Sequence, residues 1–154
     1  MISEQRTGER PLVSTEGPQT QLTQQSPPEI WGQLVARTFD LDSVMEGHSQ
    51  APASSRAVFL LDELKERAAE TSLAPGKRLE PVHLHGVSDT SLHLCVPAER
   101  GQQLTDLGSG EPHQYEDFGT EFMIYGPRTV EELDIVLSLI KESLSFARGT
   151  TEAR

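Results

Sequence analysis

At 154 residues and 17.0 kDa the chain has room for one well-buried domain, and its single cysteine, Cys95, excludes an intramolecular disulfide framework and a Cys-rich zinc module. A net charge of −11 with no basic stripe argues against nucleic acid and anionic lipid as partners. No apolar run approaches the ~20 residues that span a bilayer, and no signal-peptide core opens the chain, so the expectation is a soluble, cytoplasmic protein.

The first 28 residues hold five apolar side chains (Met1, Ile2, Leu12, Val13, Leu22) against five glutamines and four prolines. That composition predicts a disordered polar tail over residues 1–27. Ser26-Pro27-Pro28-Glu29 reads as a helix start, with Ser26 as cap, Pro27 at the first helical position and Glu29 completing a capping box. Ile30, Trp31, Leu34, Val35 and Phe39 then follow at helical spacing. Asp40 to Ser55 reads as irregular. Val58-Phe59-Leu60-Leu61 reads as a short strand running into a helix at Asp62.

After the Pro75-Gly76 break, Leu79 to His85 and Thr90 to Val96 read as a β-hairpin around Gly86-Val87-Ser88-Asp89. Pro97 to Leu107 reads as a helix ending at Gly108, Gly110 to Gly119 as a polar loop, and Glu121 to Tyr125 as a strand stopped by Gly126-Pro127. Thr129-Val130-Glu131-Glu132 is a second capping box, and Leu133, Leu137, Ile140 and Leu144 continue a helical stripe to about Ala147. The expected fold is one α+β domain over 28–148, a largely antiparallel sheet packed by an N-terminal and a C-terminal helix, with residues 149–154 a disordered C-terminus.

Four of the five histidines lie between positions 83 and 113. With the hairpin turn centred on Ser88, His83 faces His93 and His85 faces Ser91, all on one side, at Cβ separations of about 4.5–5.5 Å. Leu84, Leu92 and Leu94 take the opposite, core side. Three readings stay open from spacing alone. His83, His85 and His93 can hold a divalent metal, with His113 or a carboxylate as a further ligand. The same face can hold a general base beside an oxygen-binding donor. Or these are half-exposed polar side chains on the solvent side of a hairpin. Elsewhere, Asp89 reads as the cap of the hairpin turn, Arg128 as a surface ion pair or an anchor for a substrate anion, His48 as a solvated loop residue, and Cys95 as a small apolar filler.

The ordered series His83-Leu84-His85, Asp89-Thr90-Ser91-Leu92-His93-Leu94, Gly108-Ser109-Gly110-Glu111-Pro112-His113 and Phe122-Met123-Ile124-Tyr125-Gly126-Pro127-Arg128, with Glu131-Glu132, resembles the fungal luciferase domain and its bacterial and fungal relatives over roughly residues 56–147. Ser109 stands where the family usually has tryptophan. The resemblance implies an oxygenase: fungal luciferases oxidise 3-hydroxyhispidin, an enolic pyrone, with molecular oxygen, releasing carbon dioxide and light. It places His83, His85, His93 and His113 in a pocket for a small-molecule substrate, with Asp89, Ser91, Tyr125 and Arg128 as candidate substrate-binding positions. No cofactor beyond molecular oxygen is expected on this reading, a divalent metal being the alternative. The fungal enzymes also have an N-terminal membrane anchor, where this chain has its polar stretch. A non-catalytic small-ligand or protein-binding module of the same fold is the competing expectation.

Overall fold

The computed structural model describes residues 4–16, 19–42, 44–48, 56–60, 81–113 and 119–148. In chain order the elements are α1 (Pro28–Phe39), β1 (Val44–His48), β2 (Arg56–Leu60), β3 (Val82–Gly86), β4 (Asp89–Cys95), α2 (Ala98–Asp106), β5 (Gly110–Pro112), β6 (Glu121–Ile124) and α3 (Val130–Ala147). The six strands form one sheet in the order β1-β2-β3-β4-β6-β5, and every pairing is antiparallel. The architecture is α+β, as the pattern of elements predicts.

Alternation along β3 and β4 decides what the two faces of the sheet do. Val82, Leu84, Leu92 and Leu94 pair across the strands and point to one side, where α1 and α3 lie. Trp31 and Leu34 of α1 and Leu133, Leu139, Ile140 and Leu144 of α3 complete this core, all 5% exposed or less. Thr129 caps α3 by accepting a hydrogen bond from the Glu132 backbone N–H at 3.1 Å, which is half of the expected capping box. The other half is absent because the Glu132 carboxylate takes Arg128 instead, accepting from its backbone N–H at 2.8 Å and its guanidinium at 2.6 Å. At α1 the N-cap is Pro27, and no side chain caps the helix. The Ser26 backbone N–H instead donates to Thr90 Oγ1 at 2.7 Å, tying the helix entry to β4. Where β6 runs out, Gly126 passes the Thr90 carbonyl so closely that a Cβ would sit 2.1 Å from its oxygen.

Three stretches differ from the sequence expectation. Val44–His48, inside the segment read as irregular, is a strand paired with β2 from Val44↔Leu60 to His48↔Arg56, so His48 lies on a strand and not in a loop. Gly110–Pro112, read as loop, is a short edge strand on β6. The largest difference concerns the stretch expected to be a disordered tail. Arg6 N–H donates to the Leu107 carbonyl at 3.0 Å, and Val13 and Gln21 form an antiparallel bridge. Gln19, Gln21 and Ser26 are buried. Glutamine-rich composition reads as disorder because it offers little apolar area. Here the same amides serve as hydrogen-bonding groups: Gln21 Oε1 accepts from Gly126 N–H at 2.9 Å, and Gln25 Oε1 accepts from Thr90 N–H at 2.7 Å. The helix expected from Asp62, the first residues of the 79–85 run and residues 149–154 lie outside the described residues. Among the described residues no helix is long and apolar enough to cross a membrane.

Candidate functional site

The face of the sheet opposite the leucines carries the histidines. β3 and β4 pair with His83↔His93 and Leu84↔Leu92, the register that a Ser88-centred turn requires; it shifts only at the turn, where Gly86 meets Asp89. β6 extends the same face, setting Met123 opposite His93 and Glu121 opposite Cys95. β5 then returns along β6 and leaves His113 just past its end, where the His113 N–H donates to the Glu121 carbonyl at 2.9 Å. The result is one cluster. Ring centroids lie 4.9 Å apart for His83 and His93, 4.6 Å for His85 and His93, and 4.6 Å for His93 and His113.

These side chains are not on a solvated face. His83 is 2% and His93 3% exposed, which removes the reading of half-exposed hairpin residues. The N-terminal stretch does part of the covering. Gln19 donates from its Nε2 to Glu111 Oε2 at 3.4 Å and to the Pro112 carbonyl at 3.2 Å, and both of those are acceptors. Its Oε1 must therefore be the atom 3.0 Å from His93 Nε2, and so accepts a hydrogen bond from His93 Nε2–H. Burial first, and then the imidazoles of His83, His85 and His113, hold the His93 pKa well below its ordinary 6.5. His93 is thus neutral, with its proton on Nε2 and an acceptor lone pair on Nδ1.

Carboxylates back two of the other rings. His85 Nδ1 lies 2.9 Å from Asp89 Oδ2 and 2.8 Å from Ser91 Oγ, while Ser91 Oγ–H donates to Asp89 Oδ1 at 2.6 Å. Burial opposes the charge on Asp89. The hydrogen bond and charge of His85, together with those from Ser91 and the Gln21 N–H, outweigh it and keep the carboxyl below its usual range. Asp89 thus holds the turn, as expected, and also orients His85. His113 Nε2 lies 3.1 Å from Glu121 Oε2 in a second His–carboxylate pair. The cluster brings together six of the eight candidate residues: the four histidines, Asp89 and Ser91.

Tyr125 and Arg128 lie elsewhere. Tyr125 Oη–H donates to Glu111 Oε1 at 2.7 Å and accepts from Arg10 at 3.3 Å. Burial and the Glu111 bond push its pKa up to about 12, against the pull of Arg10. Arg128 is spent on Glu132, the Thr7 carbonyl and Gln24. It fastens the N-terminal stretch to α3. A cavity of about 440 Å³ opens beside Tyr125, not among the histidines; it is walled by Arg6, Ile124, Pro127, Ile135 and Leu139. Glu111 and Gln19 connect the two places through hydrogen bonds from Tyr125 to His93. Composition hid Gln19, Glu121 and Glu111 as members of this network, since each is an ordinary polar residue until the sheet pairing places it.

Residues 78–143 match the family model described as Luciferase domain. The chain is 29% identical to a luciferase of Armillaria gallica over 161 aligned residues, which cover 92% of this chain and 59% of that protein. It is 28% identical to a luciferase of Neonothopanus nambi, over 95% of this chain and 55% of the relative, and 32% identical to one of Armillaria mellea, over 60% and 38%. The chain therefore spans about six tenths or less of the length of these curated relatives. No solved structure matches it. Residues 78–143, which carry all four clustered histidines, thus relate this chain to the luciferase domain family.

Proposed function

We propose that the chain is a luciferase-like oxygenase that joins molecular oxygen to an enolic or phenolic small molecule at the histidine cluster. The observation that carries this reading is the contact of four imidazoles inside the matched segment, two of them backed by carboxylates. An enol reduces oxygen only after losing its proton. An imidazole whose far nitrogen is held by Asp89 or Glu121 is a fixed and strengthened acceptor for that proton. The enolate carbon then bonds to oxygen, and imidazole N–H groups in a water-poor site meet the charge that develops on the peroxide. A hispidin-type pyrone is the substrate class that the likeness to fungal luciferases suggests. Tag-free protein with a panel of such pyrones and catechols, followed with an oxygen electrode, tests the reading. Saturable uptake that His113→Ala lowers at least tenfold is expected; uptake no faster than autoxidation across the panel refutes it.

A second reading has its own support. The 440 Å³ cavity, largely apolar, lies away from the histidines, as suits a small-ligand binding module that does no chemistry. Binding of an aromatic probe without oxygen uptake would favour it.

A further inference from the structure

We propose that His83 Nε2, His85 Nε2 and His93 Nδ1 form a three-histidine site for one divalent first-row transition-metal ion, oriented by Asp89 and Gln19. The geometry comes first. His93 Nδ1 lies 2.9 Å from His83 Nε2 and 3.3 Å from His85 Nε2, and one ligand nitrogen from each ring falls within 4.8 Å of the others. Metal–imidazole bonds of about 2.0–2.1 Å set neighbouring ligand nitrogens roughly 2.9–3.4 Å apart across octahedral or tetrahedral edges. The His93–His83 and His93–His85 spacings already fall in that range, and the His83–His85 edge lies within 4.8 Å.

Proton placement points the same way. Gln19 fixes the His93 proton on Nε2, so Nδ1 presents a lone pair. Asp89 fixes the His85 proton on Nδ1, so in the neutral ring Nε2 presents a lone pair too. Two lone pairs then face each other at 3.3 Å in a buried place. Without a cation, the His83 Nε2–H satisfies the His93 Nδ1 lone pair at 2.9 Å; a cation bound by all three nitrogens would take the place of that shared proton. The outer contacts are those that metal-bound histidines need: the far nitrogen of His85 donates to a carboxylate and that of His93 to an amide oxygen, fixing tautomer and ring orientation. Three neutral imidazoles suit zinc, iron, cobalt or nickel and leave coordination positions open for an oxygen ligand.

The alternative grouping, His93 with His113 and Glu121, is less suited. Gln19 holds His93 Nε2, and the nitrogen it leaves open, Nδ1, is the one that lies 2.9 Å from His83 and 3.3 Å from His85, while His113 and Glu121 form a pair of their own. The site goes beyond the oxidation proposed above and does not depend on it.

Tag-free protein stripped with EDTA and titrated with Co(II) tests the site by visible d–d absorption and by equilibrium dialysis with metal analysis. We expect saturation at one equivalent, roughly 10–100-fold weaker binding in Asp89→Asn, at least that loss in His83→Ala and His85→Gln, and little change in Glu121→Gln. Zn(II) should raise the melting temperature of the wild-type protein, a readout that holds even where a variant folds poorly. Failure of wild-type protein to bind one equivalent overturns the site; so does binding that survives His83→Ala or that disappears in Glu121→Gln. One equivalent of Co(II) without oxygen uptake would retire the oxidation and leave the site. Undiminished uptake by stripped protein that binds no Co(II) would do the reverse.

Discussion

Replacing Gln19 by leucine removes one amide with little change in volume and tests whether the N-terminal stretch is structural. Gln19 is 4% exposed, and its Oε1 is the acceptor 3.0 Å from His93 Nε2–H. A buried donor left without a partner costs about 1–3 kcal/mol. The two acceptors that Gln19 serves, on Glu111 and Pro112, are less buried and can turn to water, so they add little. For a chain of this length each kcal/mol moves the melting temperature by about 2–4 °C, so Gln19→Leu should lower it by about 2–12 °C. Trp31, the single tryptophan, sits in the core and reports urea unfolding by fluorescence. Deleting residues 1–24 should cost more than the point change, because it also removes Gln21 from Gly126 and Arg10 from the Gly110 carbonyl. A Gln19→Leu midpoint within about 0.3 kcal/mol of wild type, with a neutral deletion, would show that the stretch is a dispensable tail after all.

In EDTA-treated protein, stability should fall below pH 6.5. The unfolded chain protonates His93 near that value while the folded one, whose His93 pKa is depressed, does not, so up to about 1.4 kcal/mol is lost per pH unit until the folded value is reached. Urea midpoints at pH 7.5 and 5.5 check this, and an equal drop in His93→Gln would refute the assignment to His93. Gly101→Ala should cost about 1–3 kcal/mol, since its Cβ would fall 1.9 Å from the Phe122 ring that α2 packs on; unchanged thermal stability would contradict that packing. Trp31→Ala should cost about 3–5 kcal/mol in the same denaturation assay, and less than 1 kcal/mol would mean that α1 is only loosely docked.

What was legible in the sequence was the part set by local periodicity. A strand that alternates leucine with histidine has one face that must be buried, so the pairing of His83 with His93 follows from keeping Leu84, Leu92 and Leu94 together. The long stripe of α3 carries the same information at period 3.6. What was not legible depends on a distant partner. Val44–His48 contains Gly47 and no alternation of its own; it is a strand because Arg56–Leu60 lies beside it. Gly110–Pro112 is too short for any pattern, and its proline has no N–H to give.

The site shows the same division. Sequence pattern alone places the residues within the hairpin, but not those that fix their protons. His113 arrives only because β5 turns back along β6, with Pro112 opposite Phe122. Gln19 arrives from a stretch whose composition argued for disorder. Yet these two decide the chemistry. Without Gln19 the His93 tautomer would be undetermined, and His83, His85 and His93 would be a set of nearby rings with no defined donor direction. With it, each lone pair has an address: Nδ1 of His93 and Nε2 of His85 point at one another, and Asp89 and Gln19 hold the opposite ends. The leucine face fixes where the rings are, while the polar N-terminal stretch fixes which of their atoms can react. A luciferase-domain relative that kept the four histidines but lost the equivalent of Gln19 would keep the cluster and lose its defined electrostatics.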